Sequence, residues 1–362
     1  MGEWVEIKRT WHDTALTNCT LCGRLVPRMV WTVEFDGQRL PFCNEECEGL
    51  YRTYWLPKYG TAKQGGEIAS LGRTPVRPYD ATNRQRCGGG IMEFADRAGF
   101  YWGNLTWEEL RQTATQNRVV IQPIGAMEQH GPHLPLNTDD FIVTRLCDAA
   151  GRRAPNELLV LPVVPYAFNA HHMDFPGVIA IRWDHVINYL IDVVTSVASH
   201  GFKRFIFISG HGCNPPYLAV VANEVNTRTG ALCASVLWTV LADNVHEIRE
   251  SVEPGGMAHA CELETAVVLH LDPARVRTDK IVDEMGFQQG EYLQMDLTRG
   301  TGVHLGEHWW SSFSPTGVAG EATKGTAEKG RLMFERAADN LVRLARELRD
   351  RPDPAQSRVD LH

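Results

Sequence analysis

No stretch of the 362-residue chain approaches the ~20 consecutive apolar residues that a bilayer-spanning helix needs, so no membrane partner is expected. The opening text MGEWVEIKRTWHD lacks the apolar core of a secretory leader, which makes a cytoplasmic location the expectation. Positive charge is not in excess either. Lys and Arg number 36 against 44 Asp and Glu, and a net charge of −8 argues against nucleic acid as a partner of the whole chain. No internal repeat is present. Cysteine is not scarce, at nine residues, but the number is odd and four fall in two close pairs, which favours metal over disulfides in a reducing compartment. A composition of 43% hydrophobic and 22% charged residues is ordinary for a globular protein. The length exceeds the ~150-residue domain norm and predicts a large catalytic domain with an appendage, or two domains.

The first pair is Cys19 and Cys22, the second Cys43 and Cys47, with an apolar stretch from Met29 to Phe35 and Asp36-Gly37 between them. Two knuckles flanking a hairpin fit a four-thiolate structural zinc site over residues 1–58. The text PFCNEECEGLYRTYW resembles treble-clef fingers of the MYM and TRASH type, in which the second pair opens a helix. Residues 59–92, rich in glycine and ending in Gly88-Gly89-Gly90, read as a linker or arm. The catalytic domain is expected over 93–350, with a capping box at Thr106 and Glu109 near its start, and a loose tail over 351–362.

Within that domain apolar runs alternate with amphipathic ones. Strands are expected at Val119–Ile124, Leu158–Val164, Phe205–Ser209 and Ala231–Trp238. Helices are expected at Asp140–Arg152, Asp184–His200, Pro216–Arg228, His259–His270 and Lys324–Arg349. Strand–helix alternation with strands apolar throughout predicts an α/β fold, a mainly parallel sheet in a three-layer α/β/α arrangement. Ligands then belong beyond the carboxyl ends of the strands.

Three segments carry chemistry at those ends. Gly125 to Asp140, GAMEQHGPHLPLNTDD, crowds Glu128, His130, His133, Asp139 and Asp140 after a strand. Glu128 and His130 are two apart, so in extended backbone they project to one side, and Asp139 opens a helix where it can cap or bridge metals. His211, in Gly210-His211-Gly212-Cys213-Asn214, stands at the end of a second strand. His259 and Glu262, three apart, are expected to share a helix face and aim at one point, while Glu264 points elsewhere as an orienter or ion-pair member.

Together these segments resemble the creatininase (creatinine amidohydrolase) family, which carries an EQHGPHLP segment followed by TD, an NGHGGN-like loop and an HAGE-x-ETS-like helix. HHMDFPG at His171 to Gly177 is similar to that family's EHxxFPGT loop, and SPTGVAGEATKGTAEKG at Ser314 to Gly330 to another of its regions, so the likeness runs from Asn104 to Arg349. The resemblance implies a binuclear metal centre, often in a hexamer. Glu128 and His211 would hold one metal, His130 the other, Asp139 both, and Glu262 would complete the ligand set of the second metal. It also implies His259 as a proton-transfer residue, with Glu262 beside it, and His172, Cys213 and Asn214 at the substrate. The family has other residues at three places. Cys213 stands where creatininase itself has a metal-ligating Glu, Ser209 replaces an Asn, and Ala258 replaces a Glu, which points away from creatinine as substrate.

The expected activity is hydrolysis of a non-peptide C–N bond in a small cyclic amide or formamide, through a water bridging two divalent ions, zinc first and manganese or iron next. A cysteine hydrolase using Cys213, and a non-catalytic metal-sensing or scaffold protein, are the alternatives. A homo-oligomer is expected.

Overall fold

A computed structural model describes residues 2–6, 29–35, 37–56, 99–299, 306 and 309–353. The chain divides into two compact units, Met1–Arg86 and Cys87–His362.

In the first unit β1 (Glu3–Glu6), β2 (Met29–Phe35) and β3 (Gln38–Phe42) form an antiparallel sheet with β2 in the middle. Gly37, at φ +75°, lies in the turn that pairs Phe35 with Gln38. Asn44 caps α1 (Glu45–Leu50) by accepting the Cys47 amide at 2.9 Å. That turn brings the Cys43 and Cys47 sulfurs to 3.3 Å. Val30, Val33, Phe42 and Tyr51 are the buried core, small for a self-supporting domain. Cys19 and Cys22 lie outside the described residues.

The second unit opens with α2 (Trp107–Thr113), where Thr106 and Glu109 complete the capping box. Its sheet contains β4 (Val119–Ile124), β5 (Leu158–Val160), β6 (Arg204–Ser209) and β7 (Leu232–Leu237), all parallel, in the order β5-β4-β6-β7. Every residue of β4 and β6 is buried, because alternate side chains enter two different cores. Val119, Ile121, Ile206 and Ile208 pack with α3 (Thr138–Arg153), α6 (Glu262–Leu271) and α7 (Ala327–Arg349). Val120, Phe205 and Phe207 pack with α4 (Trp183–Ser199) and α5 (Pro215–Thr229) on the other face. The three-layer α/β expectation is thus met.

The sheet order has a functional consequence. From β4 the chain crosses through α3 to β5, and from the adjacent β6 it crosses through α5, on the other face, to β7. The carboxyl ends of β4 and β6 therefore send the chain in opposite directions and open a crevice between them. A small antiparallel sheet, in the order β8-β10-β9, completes the unit with β8 (Met257–His259), β9 (Asp283–Glu284) and β10 (Ala319–Glu321).

Two helices start three residues later than expected, the last at Ala327 instead of Lys324, and the other bears on the site. His259 ends β8, Ala260 takes a left-handed conformation at φ +49°, and α6 begins only at Glu262. The shared helix face expected of His259 and Glu262 does not exist, because pairing of Ala319 with His259 holds the histidine in a strand. Among the described residues no helix is long and apolar enough to cross a membrane.

Candidate metal centre

The crevice is closed from above by the first turn of α3, and two glycines allow it. A Cβ on Gly125 would stand 2.0 Å from Asp140 Oδ1, and one on Gly210 2.5 Å from the Asp139 carbonyl oxygen. With no side chain at either strand end, α3 settles onto both. Asp139 is thereby seated between the residue runs that follow β4 and β6.

Its two oxygens face different partners. Oδ1 lies 3.2 Å from His130 Nε2 and Oδ2 3.4 Å from His211 Nδ1. His211 Nδ1 is also 3.1 Å from Glu128 Oε2, and His130 Nε2 is 3.9 Å from Glu264 Oε1. His130 Nδ1 sits 3.2 Å from the Glu128 carbonyl, where its N–H donates and aims Nε2 at the carboxylates. His259 Nε2 likewise bonds the Gln129 carbonyl at 2.6 Å, turning Nδ1 to Glu128 Oε1 at 3.6 Å. His172 receives the Gln129 amide on Nδ1 at 3.0 Å, stacks on Trp310 at 4.3 Å, and brings Nε2 to 3.8 Å from Glu128. The left-handed turn at Ala260 has a use here: its N–H donates to Glu264 Oε2 at 2.6 Å and orients that carboxylate.

Glu128, Asp139 and Glu264 thus share one buried space with Asp140 behind them. Burial opposes charge on His130, but Asp139, Glu264 and Glu128 outweigh it and push its pKa up to about 10. His211 is raised well above its ordinary value against the same burial, chiefly by Glu128 and Asp139. Burial and the charge of Asp139 raise Asp140 to about 8. Burial raises Glu264 to about 7 although His130 pulls the other way. His259 and His172 are pushed well down by burial and by neighbouring imidazoles.

Both Glu128 carboxylate oxygens, Asp139 Oδ2 and His211 Nε2 are buried without a hydrogen-bond partner among the described residues. An unsatisfied buried polar atom costs about 1–3 kcal/mol, and more when charged, so this concentration is costly without cations. Carboxylate oxygens mixed with imidazole nitrogens form a donor set that fits divalent zinc, manganese or iron. Glu128, His130 and Asp139 present ligand atoms within 4.8 Å of one another, and so do His130, His259 and Glu264.

Other expected site residues fall elsewhere. Glu262 is fully buried, but it faces Lys329 Nζ at 2.5 Å and accepts the Ser251 amide at 2.8 Å, away from the cluster. Two residues along a helix turn a side chain by about 200°, so Glu262 and Glu264 leave α6 on opposite faces, and Glu264 meets His130. Nothing local in the sequence marked this pairing, because Lys329 lies 67 residues further on and meets Glu262 only through the packing of α7 against α6. Asn214 is not available to substrate: its amide donates to the Gly125 carbonyl at 3.2 Å and accepts Tyr217 Oη at 2.6 Å, pinning the β6 loop to the end of β4. His172 and Cys213 do line the main cleft, a cavity of about 940 Å³ reached by Glu128, Asp139, His211 and His259. Gln129 and His171 lie within the quoted segments, but no role was expected of either. Trp310 forms the cleft wall behind His172, whereas Phe168, Trp183 and Trp309 line a second cavity of about 860 Å³.

The creatininase family model, described as creatinine amidohydrolase, matches residues 103–345. A mycofactocin precursor peptide peptidase of Mycobacterium tuberculosis is 31% identical over 261 residues, covering 69% of this chain and 92% of the relative. A 3-dehydro-scyllo-inosose hydrolase of Thermotoga maritima is 26% identical over 270 residues, covering 70% and 85%. Among solved structures, a manganese creatininase shares the fold at a TM-score of 0.59 and 22% identity, over 69% of this chain and 98% of its own. The chain therefore belongs to the creatininase family and is a metal-dependent hydrolase acting on non-peptide C–N bonds.

Proposed function

We propose a two-metal amidohydrolase in which Glu128, Asp139 and His211 hold one divalent ion, and His130, Asp139 and Glu264 hold the other. The observation that carries this reading is the division of the Asp139 oxygens between His130 and His211. Bound divalent ions supply Lewis acidity, which polarises a carbonyl and acidifies water.

The chain's own groups do the rest. His259, neutral because burial and its cationic neighbours push its pKa down, keeps its proton on Nε2 against Gln129 and offers Nδ1 as a base. It takes a proton there and returns it to the departing nitrogen. His172, fixed between Gln129 and Trp310, positions substrate against Glu128. The substrate is a small amide, a cyclic amide or formamide. We read the working form as a cytoplasmic homo-oligomer whose first unit binds structural zinc through Cys19, Cys22, Cys43 and Cys47; the approach of Cys43 to Cys47 supports the second half of that site.

Chelation followed by elemental analysis and a screen of small amides tests the reading. Loss of turnover on chelation and recovery with zinc or manganese is expected. Full turnover in a metal-free preparation would overturn it, and if that turnover also vanished in Cys213→Ser, the thiol route would replace it.

A further inference from the structure

The main cleft and the second cavity share three wall residues, His171, Cys213 and Pro216, of which the first two carry reactive atoms. Their reactive atoms meet there: Cys213 Sγ lies 3.6 Å from His171 Nε2. With His211 they form a third set whose ligand atoms lie within 4.8 Å of one another. His211 has a nitrogen left for this set. Its Nδ1 faces Glu128 and Asp139, while its Nε2 is buried with no hydrogen-bond partner. The rings of His171 and His211 are nearly parallel, 22° apart, at 6.2 Å. Cys213 and His171 are also positions where the family patterns quoted above have other residues, so two sequence departures coincide in space.

We infer that Cys213, His171 and His211 form an additional cation site, distinct in donor chemistry from the carboxylate centre and selective for a soft divalent ion such as zinc. Thiolate and imidazole suit zinc and disfavour magnesium, calcium and manganese. On binding, the Cys213 thiol and the His211 Nε2–H each give up a proton to solvent, which leaves His211 as an imidazolate shared between the two sites. An ion there sits against the wall shared by the two cavities and engages the far edge of a histidine already committed to the catalytic centre. The site rests on the two-metal reading only in treating His211 as shared.

Site-resolved alkylation of the full chain, read by peptide mass mapping at Cys213, tests it without interference from the N-terminal cysteines. With free zinc near ten times its dissociation constant, alkylation of Cys213 should slow about tenfold. In His171→Ala, a tenfold weaker site should leave only about twofold protection at the same zinc. Asp139→Asn, which empties the carboxylate centre, should keep the protection. Equal alkylation rates with and without zinc, or protection that survives His171→Ala and disappears in Asp139→Asn, would overturn the inference. Should His171→Ala fail to fold, cobalt loading decides: thiolate-to-cobalt absorption lost in Cys213→Ser supports the site, and an unchanged spectrum rejects it. Failure of the two-metal reading shows separately, as turnover without metal.

Discussion

Two regions meeting at the start of α6 bury carboxylates and treat them in opposite ways. Around Glu262 the protein supplies everything: the Lys329 ammonium and the amides of Glu250 and Ser251 satisfy the carboxylate, whose pKa falls despite burial. Around Glu264, Glu128 and Asp139 several oxygens find no donor, and burial holds Glu264 near 7. The carboxylates of both regions are buried, so burial alone does not mark a site. Incomplete internal compensation does, because the missing positive charge must come from outside the chain.

The largest effect should come from removing the shared oxygen pair. Asp139→Ala should bring turnover to the detection limit and remove the metal of the carboxylate centre, measured by elemental analysis. Retention of both would erase the distinction between the regions. His259→Ala should lose about 10²–10⁴ in kcat while metal content stays. A fall in metal content instead would move His259 from proton transfer to ligation.

In the compensated region the effect should be on stability. Lys329→Met leaves Glu262 buried and unpaired and should cost about 3–5 kcal/mol in denaturant unfolding, with kcat little changed in the surviving folded fraction. An unaltered midpoint would show the pair to be dispensable.

The smallest effect concerns pH. Asp140 titrates near 8 in the folded, metal-free protein against an ordinary 3.8. A carboxyl with a raised folded pKa favours the native state fully below its unfolded pKa, and that contribution drains away as pH rises through the folded pKa. Below about pH 6.5 the lowered His172 and His259 act the other way, so the Tm of chelated protein should fall between about pH 6.5 and pH 8, and Asp140→Asn should flatten the fall. A metal-free Tm that rises over that interval would contradict the electrostatic account.

The layers were legible because their signal is local. The runs at Val119 and Phe205 are apolar on both strand faces, and only a sheet covered on both sides accommodates that. That ligands belong beyond the carboxyl ends followed from alternation, but the crevice did not, since it depends on the order β5-β4-β6-β7 and strand neighbours are chosen by long-range packing. The helix at His259 was misjudged because apolar periodicity continues through Ala260 and Cys261, whereas the backbone breaks there to serve the β8–β10 pairing. Glu262 and Glu264 could not be sorted from their spacing to His259, because that spacing implied a helix which had not yet begun.

The chain's text alone thus determined which donor atoms exist and which strand ends carry them: Glu128 and His130 after β4, His211 after β6, and Asp139 at the head of α3. Their chemistry is intrinsic to the residue types and needs no fold to be recognised. Tertiary structure alone decided which carboxylate of α6 joins them. That choice depends on Lys329 arriving from α7 to neutralise Glu262, and on Ala260 turning its amide to hold Glu264. Both contacts depend on how α6 and α7 pack, and neighbouring letters do not encode that packing.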